Sequence, residues 1–203
     1  MLNIATSSTI AATLLPGVLA AHHTRFPRVS LHVQQDNTAE VMGPLLAQKC
    51  ELALIEGPPS SLPTDLRQRV FRRDRLRLVL SPQHPLAGRG DLRPSDLSGL
   101  GGVWREPGSG TREVAWAALE AAGIQTREVL TLTGTEAVKE AVLSGLGAAF
   151  LSELSVRREV ASGLVVCPPL ALNGLERELR VVSAPEELLS RAAQMVLELL
   201  EKG

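Results

Sequence analysis

Short apolar runs alternate along this chain with longer stretches in which apolar positions recur every three or four residues. The runs predict strands at Asn3–Thr6, Leu31–Gln35, Leu52–Glu56, Leu76–Ser81, Val103–Arg105, Val129–Thr133, Ala148–Leu151, Val165–Pro168 and Glu178–Ser183. The helical spacing predicts helices near Pro16–Arg25, Ala39–Gln48, Thr111–Ala122, Glu136–Ser144, Glu153–Ala161 and Pro185–Glu201. In the last of these, Leu188, Leu189, Ala192, Met195, Val196 and Leu199 share one face. Strands that alternate with helices predict an α/β fold with parallel pairing and right-handed crossovers.

Two segments punctuate the alternation. LVLSPQHPLAGRG (Leu78–Gly90) and LVVCPPLALNG (Leu164–Gly174) each follow a strand and are rich in Pro and Gly. If the chain changes lobe at both, residues 1–81 and 168–203 form one Rossmann-like lobe and residues 82–167 the other, joined by two crossover strands. Two crossings make a hinge, and hinged lobes close over ligands. Gly163-Leu164 also fits a plain helix-to-strand turn. There is no internal repeat and no low-complexity tract.

Composition narrows the function classes. Of 203 residues, 44% are hydrophobic and 21% charged, with a net charge of −1, which is ordinary for a globular chain. Arginine far outnumbers lysine, yet no run of like charge marks a nucleic-acid-binding face. Cys50 and Cys167 sit in apolar settings that suit buried free thiols, with a disulfide between them left open. The chain starts on an alternating strand without a signal peptide, and no apolar stretch approaches the ~20 residues of a membrane helix. These features lead us to expect a cytoplasmic protein without membrane contact, although a fragment would also lack its signal.

Ligands of open parallel sheets bind beyond the carboxyl ends of strands, where helix N-termini gather. The residues following the strands are Ser7-Ser8-Thr9, Asp36-Asn37-Thr38, Gly57-Pro58, Glu106 to Arg112, and Gly134-Thr135-Glu136. Four of these five junctions place hydroxyl or amide side chains at predicted helix starts, where backbone N–H groups add about half a positive charge. Such a cage suits a small carboxylate or oxyanion. A single junction of this kind reads as ordinary helix capping; four along one edge point to a site. Gly108-Ser109-Gly110-Thr111 lets the backbone turn sharply and expose consecutive N–H groups, with Arg105 and Arg112 at its flanks. Arg112 fits either of two directions, inward as an anion partner or outward toward Glu113 or Glu106.

Enzyme chemistry has little to stand on. The P-loop spacing and its lysine are missing, and Ser109 lacks the G-x-S-x-G context of a nucleophile. His22, His23, His32 and His84 have no metal-ligand spacing. Gly145-Leu146-Gly147 precedes a strand instead of following one, and fits a helix C-cap. With no Tyr and few other aromatics, a stacking site for bases or sugars is not supported. We expect no catalytic residue, no metal and no cofactor; a lyase or dehydratase would need His84 or Glu136 as its base.

These segments, in this order, resemble the effector-binding domain of LysR-type transcriptional regulators, a type 2 periplasmic-binding-protein fold. The likeness runs through LNIATSSTIAATLLPGVLAAHHTRFPRVSLHV, ELALIEGPP, LVLSPQHPLAG, WREPGSGTRE and GTEAVKEAVLSGLGAAFLS, nearly the whole chain. The resemblance implies a cleft between lobes lined by Ser7, Ser8, Thr9, Asn37 and Thr38 from the first and by Ser109, Thr111 and Thr135 from the second; Gly57, at the end of another strand, joins these as a candidate effector-binding residue. The cluster of hydroxyls and glycine N–H groups leads us to expect a small anionic metabolite or inorganic oxyanion as effector. The resemblance also implies a homodimer formed through the first helix of one subunit and the helix after Thr135 of the other, within a full-length tetramer. Members carry an N-terminal winged helix, the part that binds DNA. This chain lacks it, so the expectation is a cut-down regulator that senses without binding DNA itself. A solute-binding protein of a transporter is the alternative.

Overall fold

The computed structural model describes residues 1–59 and 61–202. In chain order the elements are β1 (Leu2–Ser7), α1 (Ser8–Thr13), α2 (Leu15–Arg25), β2 (Leu31–Asp36), α3 (Thr38–Leu46), β3 (Leu52–Glu56), β4 (Arg67–Val79), β5 (Gly101–Arg105), α4 (Gly110–Ala121), β6 (Arg127–Leu132), α5 (Thr135–Leu143), β7 (Ala149–Ser152), α6 (Glu153–Ala161), β8 (Glu176–Ser183) and α7 (Arg191–Lys202). The chain divides into two compact units: Met1–Arg73 together with the segment from Glu178 onward, and Asp74–Arg177. β4 and β8 are the strands in which the chain passes from one unit to the other.

In the first unit β1 lies between β2 and β3 and is parallel to both, while β3 pairs antiparallel with β8. The five residues of β3 are all buried, as expected of a strand covered on both faces. Ala5, Ala53, Ile55 and Val182 meet Val41 and Leu45 of α3 in one core cluster. Each fully buried aliphatic side chain contributes about 1.5–3 kcal/mol. The stripe Ala193, Val196, Leu197 and Leu200 seats α7 within the same unit.

The second unit is built around β5 and β6, which are parallel, and β7, which pairs antiparallel with β4. Its cores are Leu76, Leu78, Leu80, Leu97, Trp104 and Phe150 on one side and Val79, Val103, Val138, Val142, Leu151 and Val156 on the other. Trp104 stacks on Phe150 at 6.3 Å between ring centroids and meets Trp116 edge-on at 5.6 Å. Both cysteines are free thiols, and burial raises that of Cys167 to about 11.

Beyond the short helix α1, which the pattern did not predict, the structure departs from the pattern-based expectation in four places. Pairing is only partly parallel, because β8 and β7 run against β3 and β4. β4 starts at Arg67, well before Leu76: a strand needs backbone partners, and arginines along it are met by acids, as Arg69 is by Glu186 and Glu201. The predicted strand Val165–Pro168 is reduced to one bridge between Val166 and Leu80, since Pro168 and Pro169 have no N–H to extend a ladder. The last helix starts at Arg191, where the Ser190 hydroxyl accepts the Ala193 N–H at 3.2 Å, and Glu186–Leu188 form a separate 3-10 turn. Among the described residues, no helix is long and apolar enough to cross a membrane.

α5 ends as its sequence implies. Gly145 takes φ 78°, its N–H donates to the Val142 carbonyl, and the Leu146 N–H donates to Ala141 at 3.1 Å, which is a Schellman cap. Gly147 then enters β7 so closely that an added Cβ would lie 2.6 Å from the Gly101 carbonyl oxygen. That oxygen also accepts the Ala148 N–H. Gly147→Ala is expected to cost more than about 1 kcal/mol of stability in urea unfolding, by prising β7 from β5.

Candidate functional site

In the first unit three neighbouring parallel strands end side by side. The register pairs Ser7 with Asp36 and Thr6 with Leu54, so the ends of β2, β1 and β3 are at Asp36, Ser7 and Glu56. β1 runs directly into α1, which buries Ser7, Ser8 and Thr9. Ser7 stands at the N-cap position yet makes no side-chain cap bond, and its Oγ is buried with no partner among the described residues. Thr38 Oγ1, at the start of α3, is buried in the same condition. Asn37 is spent locally, since its side chain accepts the Glu40 N–H at 3.1 Å. Gln35 Nε2 donates to Ser8 Oγ at 3.4 Å. Gly57 has φ 86°, with open space where a Cβ would stand, and its N–H donates to the Glu178 carbonyl.

A residue that sequence reasoning did not single out belongs to the same place. Glu56, the last residue of β3, is 4% exposed and its Oε1 accepts the Thr9 N–H at 3.3 Å. Its signal in the sequence is a lone charge closing the apolar run Leu52–Ile55.

The second unit presents a different balance. β5 delivers Arg105, which is 3% exposed and grips Glu106 through two bonds of 2.8 Å. Its third donor, Nη1, reaches the Thr135 hydroxyl at 2.8 Å. Glu106 also accepts the N–H of Gly134, which caps α5 at φ 88°. Burial pushes the Glu106 carboxyl up, but the hydrogen bonds and charge of Arg105 outweigh it, and the net shift is downward. Ser109 is buried at the start of α4 and, like Ser7, makes no side-chain cap bond. The Thr111 hydroxyl accepts from Arg177 Nη1 at 3.0 Å, so its hydrogen points away from Arg177. Arg112 takes neither direction that its sequence suggested: it donates to the Arg105 carbonyl, to Thr131 and to Glu128, and lies 4.8 Å over the Trp116 ring.

Arg177 is the second residue that the sequence did not disclose. With Asp74 it forms an ion pair in which both side chains are 1% exposed, at 2.8 Å. Ser152 Oγ donates to the other Asp74 oxygen at 2.8 Å, so one network links β4, β7, β8 and α4 within this unit.

The two candidate bases stand apart from these networks. Glu136 is two-thirds exposed and pairs with Lys139, which Glu159 also meets at 2.6 Å. His84 lies in a turn, accepts the Leu86 N–H at Nδ1, and has its pKa lowered by burial. No group of three or more His, Cys, Asp or Glu able to hold a metal is found among the described residues.

The chain belongs to the LysR substrate binding domain family, whose model matches residues 1–203. It is 33% identical over 184 residues to the HTH-type transcriptional regulator CysL of Bacillus subtilis, covering 91% of this chain and 61% of that protein. The chain thus spans less than two thirds of that relative's length. Its fold is shared with the Synechocystis PCC6803 CcmR regulatory domain, solved in complex with 2-PG, at a TM-score of 0.90 and 23% identity over 99% of this chain and 95% of that one. The effector binding domain of QuiR in complex with shikimate superposes at a TM-score of 0.85 and 16% identity, covering 99% and 95% of the two chains.

Removing one member of a buried ion pair strands the other in a dry environment. Asp74→Ala is therefore expected to cost about 3–5 kcal/mol in equilibrium unfolding. A loss below about 1 kcal/mol would show that Arg177 finds water instead.

Proposed function

We propose that this chain is the effector-sensing part of a LysR-type transcriptional regulator acting in the cytoplasm, and that it binds a small anionic metabolite. Ser7, Ser8, Thr9, Asn37, Thr38 and Gly57 of the first unit and Ser109, Thr111 and Thr135 of the second are the residues proposed to serve recognition. The family match along the whole chain supports the regulator over the transporter carrier. The observation that carries the site is that two buried alcohols, Ser7 Oγ and Thr38 Oγ1, have no hydrogen-bond partner among the described residues. Buried polar groups are nearly always bonded, so a buried alcohol left over at a helix start calls for a partner from water or a ligand. An effector changes the regulator's state only by binding one conformation better than another, on a usual scale of ~1–3 kcal/mol.

The test is thermal melting with sulfate, sulfite, phosphate and small carboxylates. A binding anion should raise the melting temperature of the native protein. Ser7→Ala should weaken that anion about tenfold or more, since hydrogen bonds to charged groups contribute about 1.5–3 kcal/mol. The same substitution should leave the ligand-free protein as stable as before or more so, because it deletes an unsatisfied buried group. Unchanged affinity in both Ser7→Ala and Thr38→Val would remove these residues from the site.

The family resemblance further supports a homodimer that packs α2 of one copy against α5 of the other, with DNA contacted only through an N-terminal winged helix. Sedimentation equilibrium should give about twice the monomer mass, and Ala137→Arg on the exposed side of α5 should shift it to monomer. A dimer that survives this charge in its middle would place the interface elsewhere.

A further inference from the structure

Within the second unit the backbone ladder beside β4 is broken at one residue. The Leu76 N–H donates to the Leu175 carbonyl, and Leu80 exchanges two backbone bonds with Val166. Between these anchors the chain leaves β4, because Pro168 and Pro169 have no N–H for a ladder. It pairs with Leu92 instead, which donates to the Pro169 carbonyl and accepts from Ala171. Every second residue of an antiparallel strand directs its N–H and C=O to the same side, so Leu78 aims both groups as Leu76 and Leu80 do. Leu78 is 1% exposed, and neither group has a backbone partner on that side among the described residues. A buried peptide group left over in this way calls for a partner.

A cavity of about 480 Å³ opens at the break, and the residues lining it include Leu78, Pro169 and Leu170 together with Arg75, Arg77, Arg93 and Asp91. Arg77 is committed to Glu153 at 3.3 Å and to the Cys167 carbonyl at 3.1 Å. Arg75 and Arg93 are exposed, and their side chains make no hydrogen bond or ion pair among the described residues. Asp96, which accepts the backbone N–H of Arg93, is held by Arg89 at 3.0 Å. Asp91 is the single acid of the lining, so two uncommitted guanidinium groups outnumber it. Exposed Pro169 and half-buried Leu170 add apolar wall.

We propose that this cavity is a second binding site, and that it takes a small peptide-like amide carrying a free carboxylate and an apolar side chain. The amide exchanges two bonds with Leu78, as Val166 does with Leu80. The carboxylate is met by Arg75 and Arg93, whose planar forks match it, and the side chain covers Pro169 and Leu170. None of the lining residues is among those proposed for effector recognition, so this site does not depend on that reading.

The experiment is a two-dimensional amide NMR titration of the native protein with three compounds. N-acetyl-leucine carries all three features, N-acetyl-leucine amide lacks the carboxylate, and 4-methylpentanoate lacks the amide. N-acetyl-leucine should shift the Leu78 resonance saturably. Its amide should bind about threefold weaker or more, as exposed ion pairs allow, and 4-methylpentanoate about tenfold weaker. Arg75→Ala combined with Arg93→Ala should melt like the native protein, reduce N-acetyl-leucine to the affinity of its amide, and leave the amide unchanged. Should the double variant melt well below the native protein, Arg75→Ala alone serves, with a smaller loss of the same kind. Ser7→Ala should leave all three titrations as they were. No saturable shift at Leu78 with any compound overturns the site and leaves the cavity to water. Either truncated compound binding as tightly as N-acetyl-leucine, or full affinity in the arginine variants, overturns the ligand class, and loss of the Leu78 shift in Ser7→Ala overturns the independence of the site.

Discussion

The Asp74–Arg177 pair is the constraint on which the second unit's geometry rests. It joins two strands that are remote in sequence, and both side chains are removed from water. Desolvating two charges is costly and is repaid only when every lone pair and proton finds a partner. Here one Asp74 oxygen takes Arg177 and the other takes Ser152, while a further Arg177 nitrogen is given to Thr111. A slip of one residue in either strand would turn one charge to the opposite face. The pair therefore specifies register, and with it where α4 begins and which way the Thr111 hydroxyl points.

The same logic organises other cations of that unit. Arg105 is bound by Glu106, Arg112 by Glu128 and Lys139 by Glu159, and each basic group also braces the start or flank of a helix. Paired charges of this kind supply oriented donors more than net positive potential. In the first unit the strand ends carry alcohols and carboxylates without a cation in the same segments. On the proposed function, recognition depends on hydrogen bonds fixed in place by the folded strands, in keeping with the weak long-range field of a chain with net charge −1.

Much of the architecture was legible from the chain alone. β1, β3, β5 and β7 are short apolar runs, and α3, α4, α5 and α6 carry helical spacing, so local pattern located them within a few residues. β4 was hidden because its first half, RQRVFRRD, is held by backbone pairing and surface acids instead of a buried face. α1 was hidden because one turn and a half of Ser, Thr and Ala has little periodicity to detect. At the site, hydroxyls at helix starts were visible, but their use was not. Ser7 and Ser109 make no side-chain cap bond to their helices, whereas Asn37 is consumed by its own.

The sequence by itself determined the order of strands and helices, the Schellman end of α5 and the residue types that stand at each strand terminus. These follow from dihedral preference, side-chain periodicity and contacts only a few residues apart. Tertiary structure alone decided which partner each polar group takes. Asp74 meets Arg177 across 103 positions and Thr9 meets Glu56 across 47, and no local rule pairs a charge or an amide with a group that far along the chain. Burial then made those distant choices binding, because a polar atom withdrawn from water must be satisfied by whatever the fold brings beside it.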